Sequence, residues 1–90
     1  MNISIQILSN NEYEVTVQSN TITTHLVTLS DEVHKILTNE KITKEELLDF
    51  SFKFLLDKEP NTSILLSFEL TVISRYFADY KKSVEKWCSS

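Results

Sequence analysis

The first third of the chain alternates apolar and polar residues, which is the pattern of half-buried β-strands. Isoleucine recurs at every second position over residues 3–7, and Tyr13, Val15 and Val17 repeat the alternation after a turn-forming Ser-Asn-Asn-Glu stretch. Residues 21–29 are rich in β-branched side chains and carry apolar residues on both faces. Because short polar connections favour antiparallel neighbours, we predict a three-stranded antiparallel β-meander over residues 1–29.

From Ser30 onward the apolar residues recur at helical spacing. Ser30 followed by two acidic residues is a typical helix start, and Thr43 with Glu46 three residues later has the pattern of a capping box. Apolar side chains over residues 47–56 then cover most of the helix circumference. A helix this apolar is usually central in a core, so we expect it to cross the inner face of the sheet.

Pro60 marks the end of this central helix, because proline has no amide hydrogen and disfavours a helical residue before it. In the stretch DKEPNTSILLSF, residues 57–68, the three residues after the proline are good helix caps, and the apolar residues that follow have roughly helical spacing. We therefore predict another short helix there. Residues 71–87 continue an apolar helical stripe, either as one helix or as two that meet near Asp79.

These patterns together predict a single α+β domain over residues 1–90. The predicted fold is an N-terminal three-stranded antiparallel β-meander over residues 1–29, followed by four or five α-helices packed on one face over residues 30–87.

Composition narrows the location and the partners that we expect. The 90 residues contain no apolar run long enough for a membrane span, and the N-terminus has no basic signal-peptide region, so we expect a cytoplasmic protein without membrane association. The net charge of -4 repels phosphate backbones and argues against nucleic acid as a partner. The single cysteine excludes an intrachain disulfide.

Candidate chemistry is sparse along the sequence. The chain has no glycine, which glycine-rich phosphate loops need for their tight turns. His25 and His34 have no metal-ligand spacing, and the acidic pairs at residues 31–32 and 45–46 suit the first turns of helices. We therefore expect no catalytic, metal-binding or cofactor-binding residue, and we do not expect an enzyme.

The remaining candidate is a contact surface in the C-terminal helical region, formed by Arg75, Tyr76 and Tyr80. Aromatic residues at helical spacing are more often core than surface, but tyrosine and arginine are also enriched where protein partners bind. Leu66 follows Leu65 directly and would point outward, which adds apolar surface. An unidentified protein partner, or a second copy of the chain, is the expected ligand.

The stretch VTLSDEVHKILTNEKITKEELLDFSFKFLL, residues 27–56, resembles a ribbon-helix-helix repressor or antitoxin in its order of strand, capped helix, loop and capped helix. That resemblance implies a strand that pairs with a dimer mate and reads bases in the major groove. The implied base-reading positions are either Thr24, Leu26 and Thr28 or Thr23, His25 and Val27. No lysine or arginine precedes Lys35 to support such a strand.

A longer resemblance runs from about Tyr13 to Tyr80. The strings EVTVQSNTITTHLVTLSDE, LLDKEPNTSIL and FELTVISRYFADY are similar to a group of small uncharacterised bacterial proteins, common in cyanobacteria and proteobacteria. The resemblance implies a bacterial origin and a single α+β domain, and it implies no activity. Those proteins often carry proline where this chain has Thr71 and Ala78, which favours two short C-terminal helices.

The function that these observations favour is a non-catalytic protein–protein interaction or regulatory module. The alternative is a dimeric DNA-binding regulator of the ribbon-helix-helix kind.

Overall fold

The structure, a computed structural model, describes residues 2–89, so Met1 and Ser90 lie outside the description. Strands and helices follow in the order β1 (Asn2–Ile7), β2 (Glu12–Gln18), β3 (Ile22–Thr28), α1 (Asp31–Thr38), α2 (Lys44–Leu56), a 3-10 turn (Asn61–Ser63), β4 (Ser67–Glu69), α3 (Val72–Tyr76) and α4 (Tyr80–Cys88). None of these helices is both long enough and apolar enough to cross a membrane.

The described strands form one mixed sheet in the order β1-β2-β3-β4. The first three strands are antiparallel, with Ile5 opposite Val15 and Val15 opposite His25. The fourth strand is parallel to β3, with Phe68 opposite Val27. The edges of the sheet are therefore β1 on one side and the short β4 on the other.

The prediction of a purely antiparallel three-stranded sheet was wrong, as was the helix predicted after Pro60. Only a 3-10 turn follows the proline, and the chain then extends into β4. The Leu26 amide donates to the Leu66 carbonyl at 2.7 Å, and the Leu70 amide donates to the Thr28 carbonyl at 3.0 Å. These long-range bonds hold the segment extended, so the described residues form a four-stranded mixed sheet with four α-helices.

The core lies between the helices and one face of the sheet. On β2, Tyr13, Val15 and Val17 point inward and are buried. Helix α2 contributes the largest group of buried helical side chains to this core: Leu47, Leu48, Ser51, Phe52 and Leu55. Burying one aliphatic or aromatic side chain of this size stabilises the folded state by about 1.5–3 kcal/mol. The buried face of α2 therefore provides much of the driving force for folding.

The predicted starts of α1 and α2 are confirmed. Ser30 Oγ accepts a hydrogen bond from the Val33 amide at 3.2 Å. Thr43 and Glu46 form the capping box, because each side chain accepts a bond of 3.1 Å from the other residue's amide. These bonds satisfy amides that have no partner inside the helix and so set where α1 and α2 begin.

Lys44 joins three segments at one end of the molecule. Its Nζ lies 2.6 Å from Asp31 Oδ1 and donates to the Asn10 carbonyl at 2.9 Å. The lysine therefore links the first turns of α1 and α2 to the loop between β1 and β2. Its hydrogen bond and positive charge lower the pKa of Asp31.

The C-terminal region forms two helices rather than one. Helix α3 ends at Tyr76, and Phe77 is extended, with φ -131° and ψ 98°. Helix α4 begins after Asp79 and packs against α1. Residues 77–79 separate the two helices, and Ile73 of α3 and Val84 of α4 are both buried.

Candidate functional site

An apolar groove lies where the end of α2, the segment before β4 and helix α3 meet. It has a volume of about 260 Å³. Its floor and walls are apolar side chains from these three segments: Leu55, Ile64, Phe68, Val72, Ile73 and Phe77. We call this feature the α3 groove.

The rim of the α3 groove combines exposed apolar and polar side chains. Leu65 and Tyr76 line it and are 48% and 70% exposed, and the adjacent Leu66 is 66% exposed. Glu59 and Ser63 also line it. Large apolar side chains are therefore exposed beside an apolar recess. Such clustering distinguishes protein-binding sites from surfaces on which single leucines are scattered.

The segment that carries one wall of the groove is held to β3 by the side chain of Asn61. Asn61 is buried, and its Nδ2 donates to the Thr21 carbonyl and to Thr23 Oγ1, both at 2.9 Å. Pro60 fixes the backbone just before it. The corner over residues 57–63 is therefore anchored at both its backbone and its only buried polar side chain.

His25 anchors the next part of the same wall. Its ring is fully buried, with Nδ1 2.8 Å from the Leu65 carbonyl and Nε2 2.8 Å from Thr23 Oγ1. Because a carbonyl only accepts, Nδ1 donates to Leu65, and in the neutral imidazole Nε2 accepts from the Thr23 hydroxyl. Asn61, Thr23, His25 and Leu65 thus form one directed hydrogen-bond chain from the corner to the groove rim.

Helix α3 forms the opposite wall and is held mainly by side-chain packing. Ile73 is buried, and the Phe77 amide caps the helix by donating to the Ile73 carbonyl at 2.9 Å. Lys58 Nζ lies over the Phe54 ring, 4.6 Å from its centroid, and 3.6 Å from Asp79 Oδ2. These contacts tie the connection between α3 and α4 to the end of α2.

The structure separates the three residues that sequence analysis grouped as an interaction surface. Arg75 and Tyr76 are exposed on α3, and Tyr76 lines the groove. Tyr80 is fully buried at the start of α4, where the break after Tyr76 directs its ring into the core. The exposed surface therefore includes Arg75 and Tyr76 but not Tyr80.

Tyr80 has a structural role instead. Its hydroxyl lies 2.5 Å from Ser51 Oγ, and Ser51 donates to the Leu47 carbonyl at 2.7 Å. The tyrosine is therefore the donor, and it joins α4 to the centre of α2. Burial raises the pKa of Tyr80, which keeps the phenol protonated.

A second depression lies between α2 and α4, but its aromatic rings are already paired. Its volume is about 570 Å³, but it is wide open to solvent. A bound side chain would therefore stay largely exposed there, despite the larger volume. Phe50 and Trp87 stack there at 4.4 Å between centroids, and Lys53 and Lys86 line the depression. We therefore regard the smaller α3 groove as the candidate site.

The titratable side chains of the described chain do not converge on the groove. His25 uses both ring nitrogens in the core, and His34 Nε2 bonds to the Ile42 carbonyl. Burial raises the pKa of the Cys88 thiol, which disfavours the thiolate. Residues 2–89 contain no group of His, Cys, Asp and Glu side chains suited to hold a metal ion. The groove offers shape and apolar surface rather than a reactive group.

The strand that the ribbon-helix-helix resemblance would assign to DNA lies inside the sheet. β3 pairs with β2 along its whole length and with β4 over residues 26–28. His25 and Val27 are buried under the helices. On the opposite face, the positions next to Thr28 are Glu12 and Glu69, whose charges repel phosphate.

Comparison with protein-family models, with curated protein sequences and with solved structures found no match to this chain. The candidate site therefore depends on the geometry and chemistry of the residues themselves.

Most of the groove could not have been identified from the sequence. The sequence predicts surface positions for Arg75, Tyr76 and Leu66, whereas the spacing of Ile64 and Phe68 predicts a helix. The available signal was the leucine pair at residues 65–66 directly after a rigid corner. Adjacent side chains of an extended segment point to opposite faces, so an extended chain here would turn one of the two leucines away from the core.

Proposed function

We propose that the chain is a non-catalytic protein-binding module whose α3 groove takes a large apolar side chain from a partner protein. The observation that carries the proposal is the coincidence of an apolar recess with two exposed apolar residues that line it, Leu65 and Tyr76. Single exposed apolar residues are ordinary on protein surfaces, but a cluster at a recess is typical of a docking site.

The firm anchoring of both groove walls supports the proposal. The Asn61 and His25 hydrogen bonds hold one wall, and Ile73 packs the other into the core. A recess that is already formed before binding loses little conformational entropy when it is occupied. A modest apolar contact can therefore give useful affinity.

The rim also indicates the chemistry of the partner segment. Glu59 lines the groove, and Arg75 is exposed on α3 beside Tyr76 in the sequence, so the segments that form the groove carry side chains of both charges. A segment with a central leucine or phenylalanine and polar flanking residues would fill the recess and meet this rim. An apolar centre with a polar periphery is the usual anatomy of such interfaces.

The test is quantitative co-purification from the cells that make the protein, comparing the wild-type chain with the double variant Leu65→Ser/Tyr76→Ser. Both side chains are exposed, so the substitutions should leave the fold intact and remove the apolar rim. We expect the recovered partner to fall at least about tenfold, which corresponds to a loss of ~1.4 kcal/mol of binding free energy.

The control is Ile36→Ser, which removes an exposed apolar side chain from α1 that does not line the groove. The control should retain the partner, and all variants should keep the wild-type circular dichroism spectrum. Equal partner recovery with the rim variant and the wild-type chain would contradict the proposal.

A further inference from the structure

We propose that β1 pairs antiparallel with β1 of a second copy of the chain, so that two four-stranded sheets join into one continuous eight-stranded sheet. This contact uses the edge of the sheet opposite β4, and it does not depend on the function proposed for the α3 groove.

The first observation is the direction of the free backbone groups of β1. The Leu8 amide donates to the Glu12 carbonyl at 2.9 Å, next to the Ile7–Tyr13 pair. In an antiparallel ladder the bonded positions alternate, so the even-numbered residues of β1 face β2. The amides and carbonyls of Ile3, Ile5 and Ile7 therefore point to the open edge. No loop or helix within residues 2–89 hydrogen-bonds to them.

The second observation is that β1 lacks the features that normally protect an edge strand. Its sequence, Asn-Ile-Ser-Ile-Gln-Ile, contains no charge and no proline, and its pairing with β2 has no bulge. The opposite edge is protected, because β4 has only three residues and carries Glu69. One edge is thus short and charged, whereas the other presents six residues of neutral strand.

The third observation is that the strand is complementary to itself. Residues 3–7 read Ile-Ser-Ile-Gln-Ile, which is nearly symmetric about Ile5. If Ile5 lies opposite Ile5 of the second copy, Ile3 lies opposite Ile7, and every pair on the inner face is isoleucine with isoleucine. Such β-branched pairs stabilise sheets. The contact would bury Ile7, which is 57% exposed, and cover the half-buried Ile3 and Ile5.

Charge and closure favour a second copy as the occupant. Each chain carries a net charge of -4, so most surfaces of two copies repel each other, but β1 brings no like charges together. A two-fold contact also consumes the open edge of both chains and therefore stops at a dimer. The α3 grooves, which lie at the β4 side of each sheet, would remain open at the two far ends.

The test uses lysines on the exposed outer face of β1. In the proposed register Ser4 lies opposite Gln6 of the second copy, so Ser4→Lys/Gln6→Lys places lysine directly opposite lysine. We expect sedimentation equilibrium to show a concentration-dependent dimer for the wild-type chain and a monomer for this variant. The control Thr24→Lys/Ser67→Lys adds the same charge to the same face away from β1, and it should still dimerise.

A charge-complementary partner tests the register itself. Mixing the lysine variant with Ser4→Glu/Gln6→Glu should restore a dimer that contains one copy of each, because every lysine then meets a glutamate. Raising the wild-type concentration should also slow hydrogen exchange at the amides of Ile3, Ile5 and Ile7. Dimerisation of the lysine variant alone, or a wild-type chain that stays monomeric at ~1 mM, would overturn the proposal.

Discussion

Asn61 and His25 connect segments that lie far apart in the sequence. Asn61 bonds to residues 21 and 23 of the β3 region, and His25 bonds to the Leu65 carbonyl. Every buried side-chain nitrogen and oxygen in the described chain has a partner. Removing one member of such a network leaves others unsatisfied, which costs more than the net value of a single hydrogen bond.

The Asn61 side chain provides the first prediction at the residue scale. Asn61→Ala removes two hydrogen bonds and should lower the free energy of unfolding by about 1–3 kcal/mol, measured by urea denaturation. Thr62→Ala is the matched control, because Thr62 is exposed in the same 3-10 turn, and its effect should stay within ~0.5 kcal/mol. Equal effects of the two substitutions would contradict the anchoring role of Asn61.

The Tyr80 hydroxyl provides the second prediction. Tyr80→Phe removes only the bond to Ser51 and should cost about 0.5–1.5 kcal/mol of unfolding free energy. Tyr76→Phe removes the same group from an exposed ring and should change stability by less than ~0.5 kcal/mol.

Tyr80 also makes the free energy of unfolding depend on pH. Burial raises the pKa of Tyr80, so the folded state keeps a proton that the unfolded state releases near the ordinary value of 10.0. Stability should therefore be unaffected by this group below pH 10 and fall as the pH rises above it, by at most ~1.36 kcal/mol per pH unit. Urea denaturation of Tyr80→Phe should show a smaller alkaline loss than the wild-type chain, and identical slopes would contradict this assignment.

At the scale of elements, the helix starts could be predicted from nearby residues, whereas a strand that depends on a distant partner could not. The starts of α1 and α2 could be predicted, because Ser30, Thr43 and Glu46 satisfy nearby amides. β4 could not be predicted, because Ile64 and Phe68 have helical spacing. Its strand conformation depends on pairing with β3, about forty residues earlier. A three-residue strand has too little periodicity of its own to reveal that partner.

Hydrogen exchange distinguishes the observed β4 from a helix in the same segment. The Leu70 amide is bonded to Thr28 and should exchange slowly, whereas the amides of Ser67 and Glu69 face the open edge and should exchange quickly. A helix over residues 62–70 would protect all three amides by bonds to residues four positions earlier. Slow exchange at Ser67 and Glu69 would therefore contradict the parallel strand.

At the scale of the whole molecule, the two edges of the sheet have different surroundings. β4 lies beside the α3 groove and its exposed rim, whereas β1 presents a neutral open edge. The groove could not be predicted from the sequence, because its walls come from three segments that meet only after β4 has paired. Tyr76 could be recognised as a surface candidate, but the sequence did not reveal that the break after α3 buries Tyr80.

Site-specific photo-crosslinking tests the central claim most directly. A photoreactive phenylalanine analogue is placed at Tyr76, at the groove rim, or at Ile36, which is 62% exposed on α1. Irradiation of the cells that make the protein should then yield one discrete adduct with a partner protein from position 76 and none from position 36. The adduct should weaken when Leu65→Ser is added. No adduct at position 76, or the same adduct from both positions, would contradict docking through the α3 groove.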